Sequence, residues 1–416
     1  MSKNITIVGA GIAGFTLALE LSSLNNVTLI EKLDIGGTCL NRGCIPTKTL
    51  LHLSSKTRDF TGIIEKCKRT IARLRKAVTA ELENREVNII TDEAVLKSKN
   101  SVELLQSGKV IPFDILVMAT GSRAKIPKVV SEADDAIIPE EVLELNRIPD
   151  EIVIVGGGYE GVEFATIFNN LGSNVTLIER EGSLLPTLSH DVTRYLTSSL
   201  SSKGIDVLTG KTISKVKENI VYLDDGHEVL YDKLLVCCGR EPLEIPSKIS
   251  FERKNGLIAT NEFFETSQRN IFVIGDATGS MMFAHKAQYD ATVLAKNILG
   301  LKEKPDYSAM PSCVFSNPQI AIVGSNNSGE RIKVPFTAIA KSHCEDLTAG
   351  FITLHLDDYK NIIGAEVVHE RASEMLSALT VIVSKKMSCR DVSTMIFAHP
   401  TLGEIIKEAA KRGLTA

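Results

Sequence analysis

The chain has no run of eighteen or more apolar residues, which excludes a membrane-spanning helix of ordinary length. It has no large excess of charge either. Lys and Arg number 47 against 51 Asp and Glu, a net charge of −4 with a pI near 6.1. That balance gives no electrostatic reason to expect nucleic acid or a membrane surface as a partner. No leader is expected, because MSKNITIVGAG enters a β pattern at once, and the chain is expected in the cytoplasm. Cysteine is scarce, eight in 416 residues. In the cytoplasm a close cysteine pair is more often catalytic or metal-binding than a structural bridge. One such pair exists: GGTCLNRGCIPTK (36–48) holds Cys39 and Cys44. A metal site, a bridge and a working redox pair all remain open at this point.

What is present is a repeat. An apolar run, ITIVGAG, leads into the helix-periodic IAGFTLALELSSL and then into a second β-like run, NVTLIEK. The pattern returns as EIVIVGGG, YEGVEFATIFNNLG and NVTLIER, about 150 residues later, a period far longer than that of a solenoid. Each copy reads as a βαβ unit. In the first, Gly9, Gly11 and Gly14 make G-x-G-x-x-G after a strand, and Glu31 closes the next strand. In the second the residues are Gly156, Gly158, Gly161 and Glu179. Glycines there allow a tight turn and close approach of backbone to pyrophosphate, and the acid accepts from a ribose hydroxyl. A carboxylate at Glu179 disfavours a 2′-phosphate, so NAD is expected over NADP. The Lys- and Arg-rich stretch 52–90 reads as a solvated helix face. From about residue 306 the texture changes to strands followed by helices, with a boundary near Lys304–Pro305. Two dinucleotide folds in one chain suggest two nucleotides and electron transfer between them.

The motifs GAGIAG, GGTCLNRGCIPTK, ATGSRAKIP, GGGYEGVE, IGDATG, AHKAQ and AHPTLGE stand in one order along nearly the whole chain. In this the sequence resembles the flavoprotein disulfide reductases, and within them the dihydrolipoamide dehydrogenases. The resemblance implies an α/β protein with two Rossmann-like dinucleotide-binding domains and a C-terminal α+β dimerisation domain. The expected division is an FAD domain over 1–146 completed by 264–304, an NAD domain over 147–263, and an interface domain over 305–416. FAD would lie on Gly9, Gly11, Gly14, Glu31, Gly37, Thr38, Lys48, Thr120, Gly121, Asp276 and Ala284. NAD would lie on Gly156, Gly158, Tyr159, Gly161, Glu179 and Gly239, with Tyr159 covering the empty nicotinamide pocket.

The resemblance also chooses among the readings of the cysteine pair. Cys39 would exchange with the substrate and Cys44 would face the flavin as a thiolate. Lys48 would reach the flavin ring with Glu163 paired to it. His399 and Glu404 would form an acid–base dyad supplied by the partner of a homodimer. The implied reaction is oxidation of dihydrolipoamide on a lipoyl domain of 2-oxoacid dehydrogenase or glycine cleavage complexes, with electrons passing to NAD⁺. A reductase of another low-molecular-weight disulfide on the same scaffold is the alternative. The remaining cysteines show no metal-ligand spacing. In a regular helix, positions i and i+5 lie roughly 8–9 Å apart at Cα. That is too far for an unstrained disulfide. Bridging Cys39 and Cys44 therefore requires a distorted helical start. The chain departs from the family pattern at Thr47, commonly Ser, at Gln319, often Glu, and in a shorter segment after Lys48; most of all, Glu160 puts a carboxylate at a helix start expected to receive a pyrophosphate.

Overall fold

The hexapeptide NVTLIE occurs twice, and both copies form the second strand of a parallel sheet. Asn26–Glu31 pairs with Asn4–Val8, and Asn174–Glu179 pairs with Glu151–Val155, each in parallel register. β-branched and leucine side chains suit these strands because a parallel sheet is covered on both faces. The computed structural model describes residues 2–131, 133, 135–326 and 329–415, and its contacts divide the chain into two units.

The first unit comprises Met1–Lys128, Ile137–Ile148 and Val236–Pro305. Its five-stranded parallel sheet runs in the order Ile271–Val273, Ile115–Met118, Asn4–Val8, Asn26–Glu31, Asn88–Thr91. Helices Ile12–Leu21 and Ala284–Ile298 pack on it, closing a core that includes Ile5, Ile7, Leu17, Leu29, Val117 and Leu294. The sequence suggests that the return to this unit comes at 264, but the return is already made at Val236. The reason is local: Arg240–Pro242 pairs antiparallel with Ser122–Ala124, which ties the segment after Val236 to the first unit. Helix Phe60–Asn84 begins on Asp59, whose side chain accepts from Gly62 N at 3.1 Å. It buries Ile63, Ile64, Cys67 and Ile71 while Lys66, Lys68, Arg73 and Lys76 stay exposed.

The second unit comprises Val129–Ala136, Pro149–Leu235 and Asp306–Ala416. It holds two main sheets. One has five strands, in the order Asp206–Thr209, Asn174–Glu179, Glu151–Val155, Lys233–Val236, Ala136–Ile137. The other is antiparallel, in the order Pro311–Val314, Gln319–Gly324, Ile362–His369, Phe351–Leu356, Glu330–Pro335. Helices Ala372–Ser384 and Glu404–Gly413 complete a core around Leu354, Val367, Leu379 and Ile406.

Gly14 shows how tightly the first helix sits on its strand. A Cβ there would fall 1.8 Å from the carbonyl oxygen of Gly9, a backbone atom that cannot swing aside. Gly14→Ala should therefore destabilise the protein by about 1–3 kcal/mol. Urea unfolding of the variant beside the parent measures this, and an unchanged midpoint would show that the helix can shift freely.

Candidate active site

The two glycine turns share one geometry. In the first unit Gly9 N donates to Ile30 O at 2.8 Å, and Glu31 accepts from Ala10 N at 2.7 Å and from Leu33 N at 2.8 Å. In the second, Gly156 N donates to Ile178 O at 2.8 Å, and Glu179 accepts from Gly157 N at 2.6 Å and Glu181 N at 2.8 Å. Each acid thus clamps its own turn, besides any contact with a nucleotide. Glu179 is buried and Glu31 half-buried. This second task was not legible in the sequence, where the acid reads only as a ribose partner.

The first turn fits a dinucleotide phosphate. Gly9 has φ +102°, and a Cβ there would meet Ala119 O at 2.3 Å. Gly37 opens the short helix Gly37–Asn41, which also carries Thr38. A Cβ on Gly37 would lie 2.7 Å from the Cα of Gly11, the residue that caps helix Ile12–Leu21. Two helix starts therefore approach each other as closely as bare glycine backbone permits, which concentrates N–H dipoles where an anion is expected. Asn41 holds this arrangement, its buried side chain donating to Ile35 O at 3.1 Å and Gly37 O at 2.9 Å.

Thr120, Gly121, Asp276 and Ala284 gather at the same end of the sheet. Thr120 and Gly121 follow strand Ile115–Met118, and the Thr120 hydroxyl donates to Leu243 O. Asp276 lies in the turn Gly275–Thr278 after strand Ile271–Val273, and Ala284 opens the next helix. This is the carboxyl edge of a parallel sheet, where open α/β folds bind ligands. Lys286 and Asp290, which sequence reasoning missed, brace the turn from within. Their 2.7 Å ion pair is almost fully buried, Gly275 N donates to Asp290 at 3.0 Å, and Lys286 donates to Thr278 Oγ1 at 3.0 Å. A lysine and an acid spaced i, i+4 in AHKAQYD were the available signal.

Cys39 and Cys44 belong to different helices. Cys39 lies in Gly37–Asn41, the backbone leaves helical geometry at Arg42 and Gly43, and Cys44 starts Cys44–Ser54. The break supplies the distorted start that a regular helix would have denied the pair. Pro46 sits in the first turn, where its missing N–H costs nothing. The cysteines interact: a hydrogen bond to Cys44, then burial, then the charge of Cys44 push the Cys39 thiol far above the ordinary thiol range. The nearby Lys48 ammonium acts in the opposite sense. The contact with Cys44 and burial therefore hold the proton on Cys39.

In the second unit Gly156, Gly158, Tyr159, Gly161 and Glu179 surround the start of helix Tyr159–Leu171. A Cβ on Gly158 would meet nothing within 4 Å, so space opens beside the helix start. Tyr159 donates to Ser312 Oγ at 3.1 Å, and burial raises its phenol. Glu160 lies half-exposed in the first turn of the helix. Glu163 is buried and accepts from Phe315 N at 3.0 Å. Gly239, placed with this set from the sequence, lies in the first unit, where its carbonyl accepts from Lys125 N at 2.9 Å. His399 Nδ1 and Glu404 Oε2 are 2.9 Å apart, and Glu404 Oε1 accepts from Thr401 N at 2.7 Å. The His399 contact, then the Thr401 amide, hold the Glu404 carboxyl below its usual range. The imidazole itself is 69% exposed, so its far edge is open to an incoming group. Among the described residues, no group of three or more His, Cys, Asp or Glu could hold a metal ion. None of their helices is long and apolar enough to cross a membrane.

Paired nucleotide-type turns and an interacting cysteine pair define a class of protein that couples dithiol chemistry to nucleotide redox chemistry. Residues 3–291 match the pyridine nucleotide-disulphide oxidoreductase model and residues 310–410 match the dimerisation domain of the same proteins. The chain belongs to that family, the flavoprotein disulfide reductases, whose members use FAD and a nicotinamide nucleotide. It is 32% identical to a dihydrolipoyl dehydrogenase of Staphylococcus aureus, over 98% of this chain and 96% of that one. Identity to the dihydrolipoyl dehydrogenase of Geobacillus stearothermophilus is also 32%, over 98% and 95%. Among solved structures, the HOCl-induced flavoprotein disulfide reductase RclA of Escherichia coli superposes with a TM-score of 0.91 at 26% identity, covering 98% of this chain and 99% of that one.

If Cys44 holds the proton on Cys39, Cys44→Ser should bring the Cys39 pKa down toward that of an ordinary thiol. The pH dependence of Cys39 alkylation in the reduced protein measures it. A profile unmoved by the substitution would refute the pairing.

Proposed function

We propose that the protein is a dihydrolipoamide dehydrogenase, oxidising dihydrolipoamide on lipoyl domains of 2-oxoacid dehydrogenase or glycine cleavage complexes and reducing NAD⁺. The observation that carries this reading is the interacting Cys39–Cys44 pair in a chain that also presents the His399–Glu404 dyad. The relatives named dihydrolipoyl dehydrogenase support it.

In this reading His399, oriented through Nδ1 by Glu404, takes the proton of a substrate thiol at its exposed Nε2. The substrate thiolate attacks Cys39 Sγ in the oxidised pair, and Cys44 leaves as a thiolate. The second substrate sulfur then displaces Cys39, closing the lipoamide ring. The substrate gives up two electrons and two protons, of which Cys39 keeps one and His399 the other. FAD, when bound on the glycine turn of the first unit with Thr38, Lys48, Thr120, Gly121, Asp276 and Ala284, supplies hydride chemistry toward the nicotinamide. Lys48 and Glu163 are assigned as the charge pair beside it. Glu179 favours NAD over NADP because its carboxylate repels a 2′-phosphate. The dimerisation domain supports a homodimer in which each protomer's dyad serves the other's cysteines.

A second reading draws on the likeness to RclA: a reductase of another disulfide, fed by a nicotinamide nucleotide. Anaerobic addition of dihydrolipoamide, first alone and then with NAD⁺, decides between them. Bleaching of the flavin followed by NADH absorbance at 340 nm is expected, and absence of bleaching would favour the second reading. His399→Gln should slow dithiol oxidation by about 10²–10⁴-fold while flavin content stays at the parent level. Stopped-flow reduction rates equal to those of the parent would remove His399 from the mechanism.

A further inference from the structure

Asp276 is held from behind by residues distant in sequence. Ser122 Oγ donates to Asp276 Oδ2 at 2.6 Å. The same hydroxyl accepts from Arg240 Nε at 2.8 Å, and Arg240 Nη2 donates to the Ser122 carbonyl at 3.1 Å. Arg240 Nη1 in turn meets Glu140 Oε1 at 2.8 Å, with side chains only 13% and 14% exposed. Asp276 Oδ1 makes no hydrogen bond among the described residues.

The direction of this chain is fixed by chemistry. A guanidinium can only donate, so the hydroxyl that accepts from it has its single proton left for the carboxylate. Ser122 therefore cannot rotate to another partner without abandoning Arg240 or Asp276. Glu140 balances the buried arginine, which would otherwise carry a large desolvation cost. The braced turn Gly275–Thr278 limits movement of the Asp276 backbone, and Ser122 limits its side chain.

We propose that Ser122, Arg240 and Glu140 are positioning residues for the flavin. They fix one oxygen of Asp276 so that the other is presented, already oriented, to a hydroxyl of the bound cofactor. The proposal rests on the reading of Asp276 as a flavin contact. Its effect is preorganisation: a carboxylate immobilised before binding does not have to be ordered during it. The serine acts only through the aspartate, so its removal is felt as cofactor affinity rather than as loss of fold.

The test uses the full-length protein, stripped of flavin and titrated with FAD by fluorescence quenching. Ser122→Ala should raise the Kd for FAD by about tenfold or more, the weight of one hydrogen bond to a charged group. Ser122→Thr, which keeps the hydroxyl, should recover most of that loss. Thermal unfolding of the flavin-free Ser122→Ala protein should remain close to that of the flavin-free parent. Parent-like affinity in Ser122→Ala would overturn the proposal. So would a lowered unfolding temperature of the flavin-free variant without recovery by threonine, since Ser122 would then be a packing residue. A parent that takes up no FAD would instead sink the flavin reading itself, an outcome visible before any variant is made.

Discussion

Much of the site depends on one carboxylate placed twice. At the end of each NVTLIE strand a glutamate accepts the amide that follows the first glycine of the neighbouring turn and the amide two residues beyond itself. A glycine turn is conformationally loose, since glycine loses more freedom on folding than any other residue. Two charge-assisted hydrogen bonds from one rigid strand restrain that freedom and tie the turn to the strand next to it. The start of the following helix, and with it the direction of its free N–H groups, is then set by the sheet. This explains why the acid and the glycines recur together in both units. A nucleotide-binding turn needs its shape before it meets a nucleotide.

What could be read from the sequence follows from range. Motifs within about thirty residues of one another were legible: strand, glycine turn, helix and acid, because hydrophobic periodicity and glycine spacing are local signals. The pairing of His399 with Glu404 came from the resemblance alone, and the two side chains lie 2.9 Å apart. The break between Cys39 and Cys44 was anticipated as a requirement of disulfide geometry, and the chain meets it with two short helices. Ser122, Arg240, Glu140 and Asp276 were not connected, because no periodicity links residues 122 to 276 and only the sheet brings them together. Lys286 and Asp290 have the i, i+4 spacing common to exposed helix pairs. Their burial is a tertiary fact, and it turns a common surface spacing into the brace of the Gly275–Thr278 turn.

The division of the chain carries a similar lesson. Strand Arg240–Pro242 follows directly on a strand of the second unit, yet pairs with Ser122–Ala124 in the first. Sequence texture places boundaries where composition changes, and nothing changes at Val236. Backbone pairing ties the segment to the first unit through that short ladder. The same pairing carries Arg240 to Ser122.

The proton on Cys39 joins the geometry of the pair to the need for a base in the proposed reaction. Two thiolates in one half-buried site repel, and the contact with Cys44 holds the proton on Cys39. A substrate dithiol arrives with two protons and leaves with none. In the proposed reaction the pair absorbs one of them on Cys39. The second proton must leave through another group, and it must leave early, because the attacking sulfur is a nucleophile only as a thiolate. An exposed imidazole anchored on its inner nitrogen by an ionised carboxylate meets both conditions. In the proposed reaction the cysteine pair takes up only one of the two protons, and His399 with Glu404 is assigned the other.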